Sequence, residues 1–330
     1  MVPESALEEI RSGTTMPDEL DAGRSGSPVA ELLPAAPPPA DQFAMLVAVL
    51  LPFLGTVAAA VLLGTHGWIS WLHVGLLIGG WLLTGLGITI GFHRLLTHRG
   101  FETYPLVRAF WMAMGALAIE GSPLVWCAIH RRHHERSDQP GDPHSPQLHG
   151  GGWSATLRGL WNAQVGWLFA GYWSDPQLQR YVPDLLAEPL LVRVDRFYYL
   201  FVLISLAIPT AIAGLVGGSW QAALMGLLWG GLVRVFLTHH ITWSINSICH
   251  VFGSRMFRTG DGSTNNLLCG ILGLGEGWHN NHHAFPTSAR HGLAWWQFDA
   301  SWLVIRMMQA CRLAWDVKVP SPKAIAARRI

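Results

Sequence analysis

The stretch FAMLVAVLLPFLGTVAAAVLLG runs from Phe43 to Gly64, and WLHVGLLIGGWLLTGLGITIGF runs from Trp71 to Phe92. Neither stretch contains Asp, Glu, Lys or Arg. Each is about as long as the roughly 20 apolar residues that a helix needs to cross a lipid bilayer. Only the short link Thr65–Ser70 lies between them, so the two stretches are predicted to form a helical hairpin in a membrane.

A second pair of apolar stretches follows later in the chain. Phe197–Val216 and Trp220–Leu237 are joined by Gly217–Ser219, and only Arg234 interrupts them. The whole chain of 330 residues is 50% apolar and 13% charged, whereas about a quarter of the residues in soluble proteins are charged. We therefore predict an all-α fold with four transmembrane helices in two hairpins. The alternative is a soluble protein with four buried helices, in which such charge-free runs are rare.

Lysine and arginine are distributed asymmetrically. Of the 22, two precede residue 43, ten lie in residues 93–196 and ten in residues 234–329, and the two hairpin links contain none. Because cytoplasmic loops are enriched in Lys and Arg, both termini and the segment 93–196 are predicted to be cytoplasmic. Residues 93–196 and 238–330 then form a helical cap on that side.

The remaining composition narrows the class of protein. Residues 1–42, rich in Pro, Ala, Ser and Gly, are predicted to be a disordered cytoplasmic tail. The net charge of +1 offers no basic surface for nucleic acid. The four cysteines stand too far apart for a disulfide framework.

Two further apolar stretches, Pro105–Ile129 and Leu293–Cys311, contain charged residues and are interpreted as helical segments at the membrane interface. The Ala- and Arg-rich composition favours a bacterial cytoplasmic membrane.

Half of the 16 histidines occur in three boxes, all on the predicted cytoplasmic side. Residues at i, i+3 and i+4 lie on one side of a helix, so each HxxHH box is expected to direct three imidazoles at one point. Imidazole binds iron, zinc and copper, and a chance surface cluster explains one box but not three. The predicted ligands are His93 and His98 in HRLLTH, His130, His133 and His134 in HRRHH, and His279, His282 and His283 in HNNHH.

The helix of the fourth span is expected to continue to about His250. Asn246 and His250, at i and i+4, could then close the same site. Nine histidines and one asparagine suffice for two metal ions with four or five ligands each. The other seven histidines are interpreted as unrelated to this site: His66, His73, His144, His149, His239, His240 and His291.

A carboxylate-bridged metal centre is not expected, although Glu276 and His279 form a Glu-x-x-His motif. Such centres need two of these motifs and two further Glu. No second Glu-x-x-His motif occurs, and only 13 acidic residues follow residue 42. The metals are therefore predicted to be bound almost wholly by imidazole.

Several motifs together resemble those of the membrane fatty-acid desaturases, in particular the acyl-CoA (stearoyl-CoA) Δ9 branch of bacterial type. They are GITIGFHRLLTH (87–98), HRRHHERSD (130–138), GDPHSP (141–146), VGWL (165–168), TWSINSICH (242–250) and GEGWHNNHHAFP (275–286). The resemblance covers about residues 43–316. It implies a four-span fold whose cytoplasmic cap holds two irons, with O2 as co-substrate. It also implies that the nine histidines are the ligands and that Asn246 reaches one iron through water.

The resemblance implies insertion of a cis double bond, expected at Δ9, into a saturated acyl chain. Only positioning distinguishes one methylene from the next, so an apolar tunnel is expected. Its predicted wall residues are Trp126, Trp243 and Trp278. Animal acyl-CoA members carry charged residues where this chain has Ala128-Ile129 and Gly171-Tyr172. The head group would then need other partners, for which Arg131, Arg158 and Arg180 are candidates, and acyl-CoA is favoured over acyl carrier protein or glycerolipid as the carrier.

Electrons are expected from a separate protein, because no haem, iron–sulfur or dinucleotide-binding motif is recognised. Ferredoxin or a flavoprotein reductase is favoured for a bacterial source, with a cytochrome b5-like donor as the alternative. Arg131, Arg132 and Arg136 are predicted to form its docking surface. Two other functions stay open: a histidine-box hydroxylase or ketolase, and a membrane transporter that uses histidine along its path.

Overall fold

The computed structural model describes Pro34 and residues 36–330. Most of the predicted tail therefore lies outside the described residues. Four of the described helices are long and apolar enough to cross a membrane, which confirms the all-α, four-span prediction. They are Pro39–His66, Trp71–Thr97, Tyr198–Gly217 and Trp220–His250, called spans 1 to 4 below.

The two hairpins turn in the same way. Span 1 ends at Gly67, whose φ of 63° is the left-handed conformation that glycine adopts at low cost. Span 2 then begins after Ser70, whose backbone N–H donates to Nδ1 of His73 at 3.1 Å. In the second hairpin, Gly218 has a φ of 62°, and Ser219 caps span 4. His73 is thus a helix-capping residue.

The spans differ slightly from their predicted bounds. Span 1 begins at Pro39, four residues before Phe43, so the last residues of the predicted tail are helical. Span 4 reaches His250, as predicted. Spans 2 and 4 each change helix type along their length. Span 2 is α-helical over Trp71–Leu86 and π-helical over Gly87–Thr97, and span 4 consists of Trp220–Gly226 (α), Leu227–Val233 (π), Arg234–Ser247 (α) and Ile248–His250 (3₁₀).

Span 4 lies at the centre of the bundle. In its most apolar window 61% of the residues are buried, against 17% for spans 1 and 3. The spans that present most of their surface outward are thus the most apolar ones, as expected for helices in contact with lipid. The central position of span 4 brings its C-terminal end under the cap.

Short helices build most of the cap. Several begin with proline, whose missing N–H costs nothing in the first turn of a helix. The α-helices are Pro105–Ala116, Pro123–Arg136, Trp153–Gln164, Pro183–Leu186, Pro189–Arg196, Leu267–Leu272, His279–Ala284, Ala300–Ala310 and Pro322–Arg328, and the 3₁₀ helices are Gln147–His149, Gly166–Phe169, Tyr172–Ser174 and Pro176–Tyr181. Strands Glu102–Thr103 and Ala314–Trp315 pair antiparallel, with Glu102 opposite Trp315.

Both stretches predicted as interfacial helices are only partly helical. The first forms two helices, Pro105–Ala116 and Pro123–Arg136, because the loop between them contains Ile119 and Gly121 with φ of 64° and 101°. Positive φ values cannot continue a right-handed helix. In the second stretch the helix covers only Ala300–Ala310, whose N-terminus is capped by the side chain of Asp299.

Candidate metal centre and its cavity

The first histidine box lies on the π-helical end of span 2. The backbone N–H of His98 donates to the carbonyl oxygen of His93 at 3.1 Å, which is the i→i+5 pattern of a π-helix. This wider turn places both imidazoles on one side, with ring centroids 4.8 Å apart. The five-residue spacing of HRLLTH thus fits the local helix type.

The two HxxHH boxes lie on helices, as predicted, but each box divides its histidines between two sites. On the helix Pro123–Arg136, His130 and His134 have their Nε2 atoms 3.1 Å apart, whereas His133 turns away. The reason is angular, because positions i and i+4 differ by about 40° around a helix and positions i+3 and i+4 by about 100°. The expectation that three imidazoles of one box converge on a single point is therefore wrong.

All nine predicted histidine ligands meet in two neighbouring clusters. Within each cluster the potential ligand atoms lie within 4.8 Å of one another. The first cluster consists of His93, His98, His130, His134 and His282, and the second of His133, His250, His279 and His283.

The spacing of the nitrogen atoms fits a metal ion. Nε2 of His282 lies 3.1 Å from Nε2 of His93 and 2.9 Å from Nε2 of His134. In the second cluster, Nε2 of His279 lies 3.0 Å from Nε2 of both His250 and His283. Two nitrogens bound at right angles to one ion, each about 2.1 Å from it, are about 3.0 Å apart.

The protonation of the imidazoles also suits metal binding. Nε2 of His98 and Nε2 of His133 are buried without a hydrogen-bond partner in the described part of the chain, a costly state for a polar atom unless something else binds it. Burial, assisted by the neighbouring imidazoles, holds several of these side chains neutral, as a ligand must be. The pKa is lowered well below its ordinary value in His98, His130, His134, His279 and His282.

Four carboxylates stand behind the clusters and orient the imidazoles. Nδ1 of His133 donates to Asp142 at 3.0 Å, Nδ1 of His250 to Asp138 at 2.9 Å and Nδ1 of His283 to Asp261 at 2.7 Å, while Glu276 accepts from Nδ1 of His93. A carboxylate can only accept, so each of these rings keeps its Nε2 lone pair for a metal. Burial alone would raise the pKa of Asp142, but the facing His133 holds it below the ordinary range.

Glu276 is itself held by a buried arginine. Nη2 of Arg94 donates to its Oε1 at 3.0 Å, and Nη1 of Arg94 donates to Asp299 at 3.0 Å. All three side chains are less than a tenth exposed. Glu276 of the Glu-x-x-His motif thus contacts His93, one of the predicted ligands, and it also forms a third group of potential ligand atoms with His93 and His291.

An apolar cavity opens beside both clusters. Its wall combines ligand histidines of both clusters with residues of spans 2 and 4. The lining includes Trp81, Gly85, Ile88, His93, Trp126, His130, Thr238, Ile241, Trp243, Asn246 and His279.

A comparison with protein families agrees with this site. The model of the family described as fatty acid desaturase matches residues 66–311, which contain all three boxes, His250 and the cavity. This chain belongs to the fatty acid desaturase family. The members of that family are membrane-bound oxidoreductases that use iron. Membership excludes the transporter alternative.

Curated relatives of the desaturase act on different acyl carriers. A "Hex-5-enoyl-[acyl-carrier protein] acetylenase" of Moorena producens (strain JHB) is 42% identical over 282 residues, 85% of this chain and 87% of that protein. An "sn-1 stearoyl-lipid 9-desaturase" of Anabaena variabilis is 38% identical over 82% of this chain and 93% of its own length. An "Acyl-CoA C20 Delta5-desaturase" of Anemone leveillei is 38% identical over 71% of this chain and 70% of its own length.

The tryptophans predicted as tunnel walls divide into two groups. Trp126 and Trp243 line the cavity of the desaturase, and Trp126 stacks on His130 with ring centroids 5.1 Å apart. Trp278 is instead a core residue, since it is 1% exposed and its Nε1 donates to the carbonyl oxygen of Phe298 at 2.7 Å. Asn246 also lines the cavity, near the end of span 4.

The arginines singled out from the sequence have different environments. Arg131 donates to Asp184 at 2.6 Å and to the carbonyl oxygens of Leu96, Thr97 and Tyr181. Arg180 is exposed and donates to the hydroxyl of Tyr181, and Arg158 is exposed. Arg132, predicted as part of a docking surface, is 3% exposed and paired with Asp175. That part of the docking prediction is wrong because Arg132 belongs to the interior of the cap.

Two histidines that are interpreted from the sequence as unrelated to the metal centre lie against the two histidine clusters. His291 is 1% exposed, and its ring lies 5.3 Å from that of His93 and 4.5 Å from that of His282. His144 lies 4.5 Å from His133 by ring centroids and lines the cavity. The sequence interpretation of both is wrong, since neither has a neighbour at ligand spacing along the chain and the fold supplies the contact.

Proposed function

We propose that this chain is an O2-dependent desaturase with two irons, which inserts a cis double bond at C9 of a saturated acyl chain for the synthesis of unsaturated lipids. The observation that carries the proposal is the pair of imidazole clusters at the wall of an apolar cavity. The five-histidine cluster would hold one iron. The four-histidine cluster would hold the other, with Asn246 completing its ligands through water.

The overall reaction consumes the saturated chain, O2, two electrons and two protons, and yields the alkene and two waters. Iron, when bound, supplies the oxidation that acid–base groups cannot perform on an unactivated C–H bond. The protein positions the acyl chain relative to the metal centre. Trp126, stacked on His130, and Trp243 present flat apolar surfaces to the cavity, which hold the chain and exclude water from its reacting methylenes. The four carboxylates keep the ligand rings in one tautomer and orientation.

For the acyl carrier, we propose a membrane glycerolipid in preference to the acyl-CoA that the motifs predict. Two observations support this choice. The relative named for stearoyl-lipid is matched over 93% of its length, and the cavity wall is built partly from spans 2 and 4, so that a chain can enter from the bilayer side. Among the head-group candidates, Arg131 already donates to an acidic partner and three carbonyl groups.

The membrane orientation and the electron supply are part of the same proposal. The distribution of Lys and Arg supports a bacterial cytoplasmic membrane with the cap and both termini in the cytoplasm. Reduction by a separate ferredoxin or flavoprotein reductase is proposed, with a cytochrome b5-like protein as the alternative. Arg136, which remains partly exposed near the second box, is a candidate for contact with that donor.

Lipid analysis of a desaturase-deficient bacterial host that expresses the chain tests the function. A new monounsaturated chain with its double bond at C9, absent from a host with the His130→Ala variant, is the expected result. A hydroxylated, keto or acetylenic product would replace the proposed reaction by the corresponding alternative. The acetylenic outcome deserves analysis because the relative from Moorena producens carries that name.

A pulse of labelled stearate in the same host tests the carrier. Samples taken during the first minutes are separated into acyl-CoA, acyl carrier protein and glycerolipid pools. Labelled oleate that appears first in intact glycerolipid supports the proposal. Earlier appearance in the CoA or carrier-protein pool would show that the thioester is the substrate, without affecting the assignment as a desaturase.

A further inference from the structure

One part of the cap presents basic side chains that no step described so far uses. Two of them lie in the loop that follows span 4, and three lie in residues 322–330. Together they are called the basic surface, which consists of Arg255, Arg258, Lys323, Arg328 and Arg329, all exposed. None of the five forms an ion pair with a carboxylate among the described residues. Such a group of like charges attracts molecules of opposite charge.

Backbone contacts bring the two parts of the basic surface together. The backbone N–H of Arg258 donates to the carbonyl oxygen of Arg328 at 2.9 Å. Phe257 pairs with Arg329 in an antiparallel bridge. The side chains of Arg258 and Arg329 form no hydrogen bond with any residue that the structure describes. Their charges are therefore free to contact another molecule.

Other arginines of the cap stand beside acidic residues. Arg99 pairs with Asp184 at 2.7 Å, and Arg131 pairs with the same carboxylate at 2.6 Å. Arg136 lies 4.0 Å from Glu135. These pairs reduce the local positive charge, whereas that of the basic surface is not compensated by a paired acid.

The basic surface lies against the second histidine cluster. Nη1 of Arg255 donates to the carbonyl oxygen of Asp261 at 2.6 Å, and the carboxylate of Asp261 accepts from Nδ1 of His283 at 2.7 Å. Arg328 donates to the carbonyl oxygen of Ala284, the residue that follows His283. Each of these arginines is thus separated from a predicted metal ligand by a single residue.

We propose that the basic surface is the docking site of an acidic one-electron carrier of the ferredoxin type, whose electrons enter the metal centre through the second cluster. The inference rests on the proposed function, because that reaction needs an electron donor. Two reduced carriers are oxidised for each double bond, and their two electrons, with two protons and the two hydrogens of the acyl chain, reduce O2 to two waters.

Proximity and charge both favour this surface. The rate of electron transfer falls steeply with distance, so the carrier has to bind beside a ligand of the metal centre. Transient complexes between electron-transfer proteins have small interfaces. Complementary charge then determines how fast and in which orientation the partners meet.

The exposed residues around the basic surface favour a protein over the bilayer as its partner. Among residues 254–260 and 322–330, Ile330 is the one large apolar residue that is exposed. The helix Leu267–Leu272, by contrast, exposes four large apolar side chains among its six residues. Segments that lie in the membrane interface bury an apolar face in the lipid, and the basic surface offers no such face.

Charge reversal of the two arginines without side-chain bonds tests the proposal. The chain is reconstituted in nanodiscs of neutral phosphatidylcholine, and binding of an acidic plant-type ferredoxin is titrated. We expect Arg258→Glu/Arg329→Glu to raise the Kd at least about tenfold, both with metal and after its removal by a chelator. The matched control is Arg193→Glu/Arg312→Glu, which reverses two other exposed charges of the cap and should bind as the wild type does.

Turnover gives a second readout that a purely structural role would not change. With the reduced ferredoxin as donor, the double variant should show a KM for ferredoxin at least about tenfold higher, with a kcat close to that of the wild type, because only the encounter is weakened. A single turnover started with dithionite needs no docking and should give the wild-type yield of double bonds. Added salt should weaken the binding of the wild type more than that of the variant.

The outcomes separate this inference from the proposed function. A wild type that makes no double bond after reduction by dithionite removes the proposed function, and the binding titration still decides on the docking site. Unchanged Kd and KM in the double variant, or no saturable binding of ferredoxin to the wild type, would overturn the inference and leave the desaturase assignment intact.

Three further results would also overturn the inference. A larger loss of ferredoxin binding in Arg136→Glu than in the double variant would place the donor at the second box. A reduced yield in the dithionite experiment would mean that the double variant damages the metal centre. Binding to nanodiscs that changes only with the content of anionic phosphatidylglycerol would assign the basic surface to the membrane.

Discussion

Replacement of Arg94 by glutamine should destabilise the protein strongly. The guanidinium of Arg94 is the shared partner of Glu276 and Asp299, with N–O distances of 3.0 Å to each, and Nη1 also donates to the carbonyl oxygen of Ala289 at 2.9 Å. The three charged side chains are buried. Arg94→Gln would leave two acidic groups in a dry environment with no cation between them.

The size of the effect follows from this geometry. Removal of one partner of a buried ion pair costs about 3–5 kcal/mol, because the remaining charge is left without compensation. We expect the free energy of unfolding to decrease by at least that amount, since two carboxylates lose the same partner. Glu276 also orients His93, so the first cluster should lose affinity for metal while the second keeps it, and the metal content should fall towards one ion per chain.

The assay is urea unfolding in a mild detergent, followed by tryptophan fluorescence, with metal analysis of the same preparations. Arg306→Gln is the matched control, because that arginine is exposed, donates to Gln309 and lies over the ring of Trp302 without a carboxylate partner among the described residues. Its effect should be within about 0.5 kcal/mol. Loss of one partner of a buried ion pair is expected to cost about 3–5 kcal/mol. A free energy of unfolding for Arg94→Gln that lies within about 1 kcal/mol of the wild-type value would therefore refute the reasoning.

Three further predictions concern the metal centre. Each cluster is tested by removing one predicted ligand: His130→Ala and His283→Ala should abolish turnover while the protein still inserts into the membrane. His66→Ala, in the hairpin link, is the control and should retain turnover. Wild-type turnover in either cluster variant would contradict the ligand assignment. Active preparations should contain two irons per chain by metal analysis, and zinc-loaded protein should be inactive because zinc has no redox chemistry; full activity with a single ion would overturn this. His291→Ala should lower metal affinity or activity about 10- to 100-fold, as loss of groups around metal ligands does, and unchanged values would restore the sequence-based view that His291 lies outside the site.

The fold, and the grouping of the nine histidines, can be predicted from the sequence for simple physical reasons. A helix that crosses a bilayer must be long and apolar. The length and the lack of charge of Phe43–Gly64 and Trp71–Phe92 therefore identify them as candidate spans. Candidate ligand histidines are recognisable because three boxes of one residue type are improbable by chance. Their division between two clusters was missed, because the helical angle between His133 and His134 was treated as negligible.

The groups around the ligands could not be predicted, because the fold brings them together over long distances along the chain. Asp138 reaches His250 across 112 residues, and Glu276 reaches His93 across 183. The spacing of these residues along the chain does not indicate such pairs. One weak signal was available: with only 13 acidic residues beyond residue 42, those located inside the histidine motifs, such as Asp138 and Glu276, were candidates for a role at the centre.

The pairing of His93 with His282, which are 189 residues apart, has a consequence for biosynthesis. Neither cluster is complete until the helix His279–Ala284 has left the ribosome and packed against the other helices of the cap. A partly synthesised chain already inserted by its first hairpin therefore lacks a finished site for iron. We therefore expect metal uptake to follow assembly of both clusters, so that the iron content of this protein in a cell would report the fraction of chains that have completed their assembly.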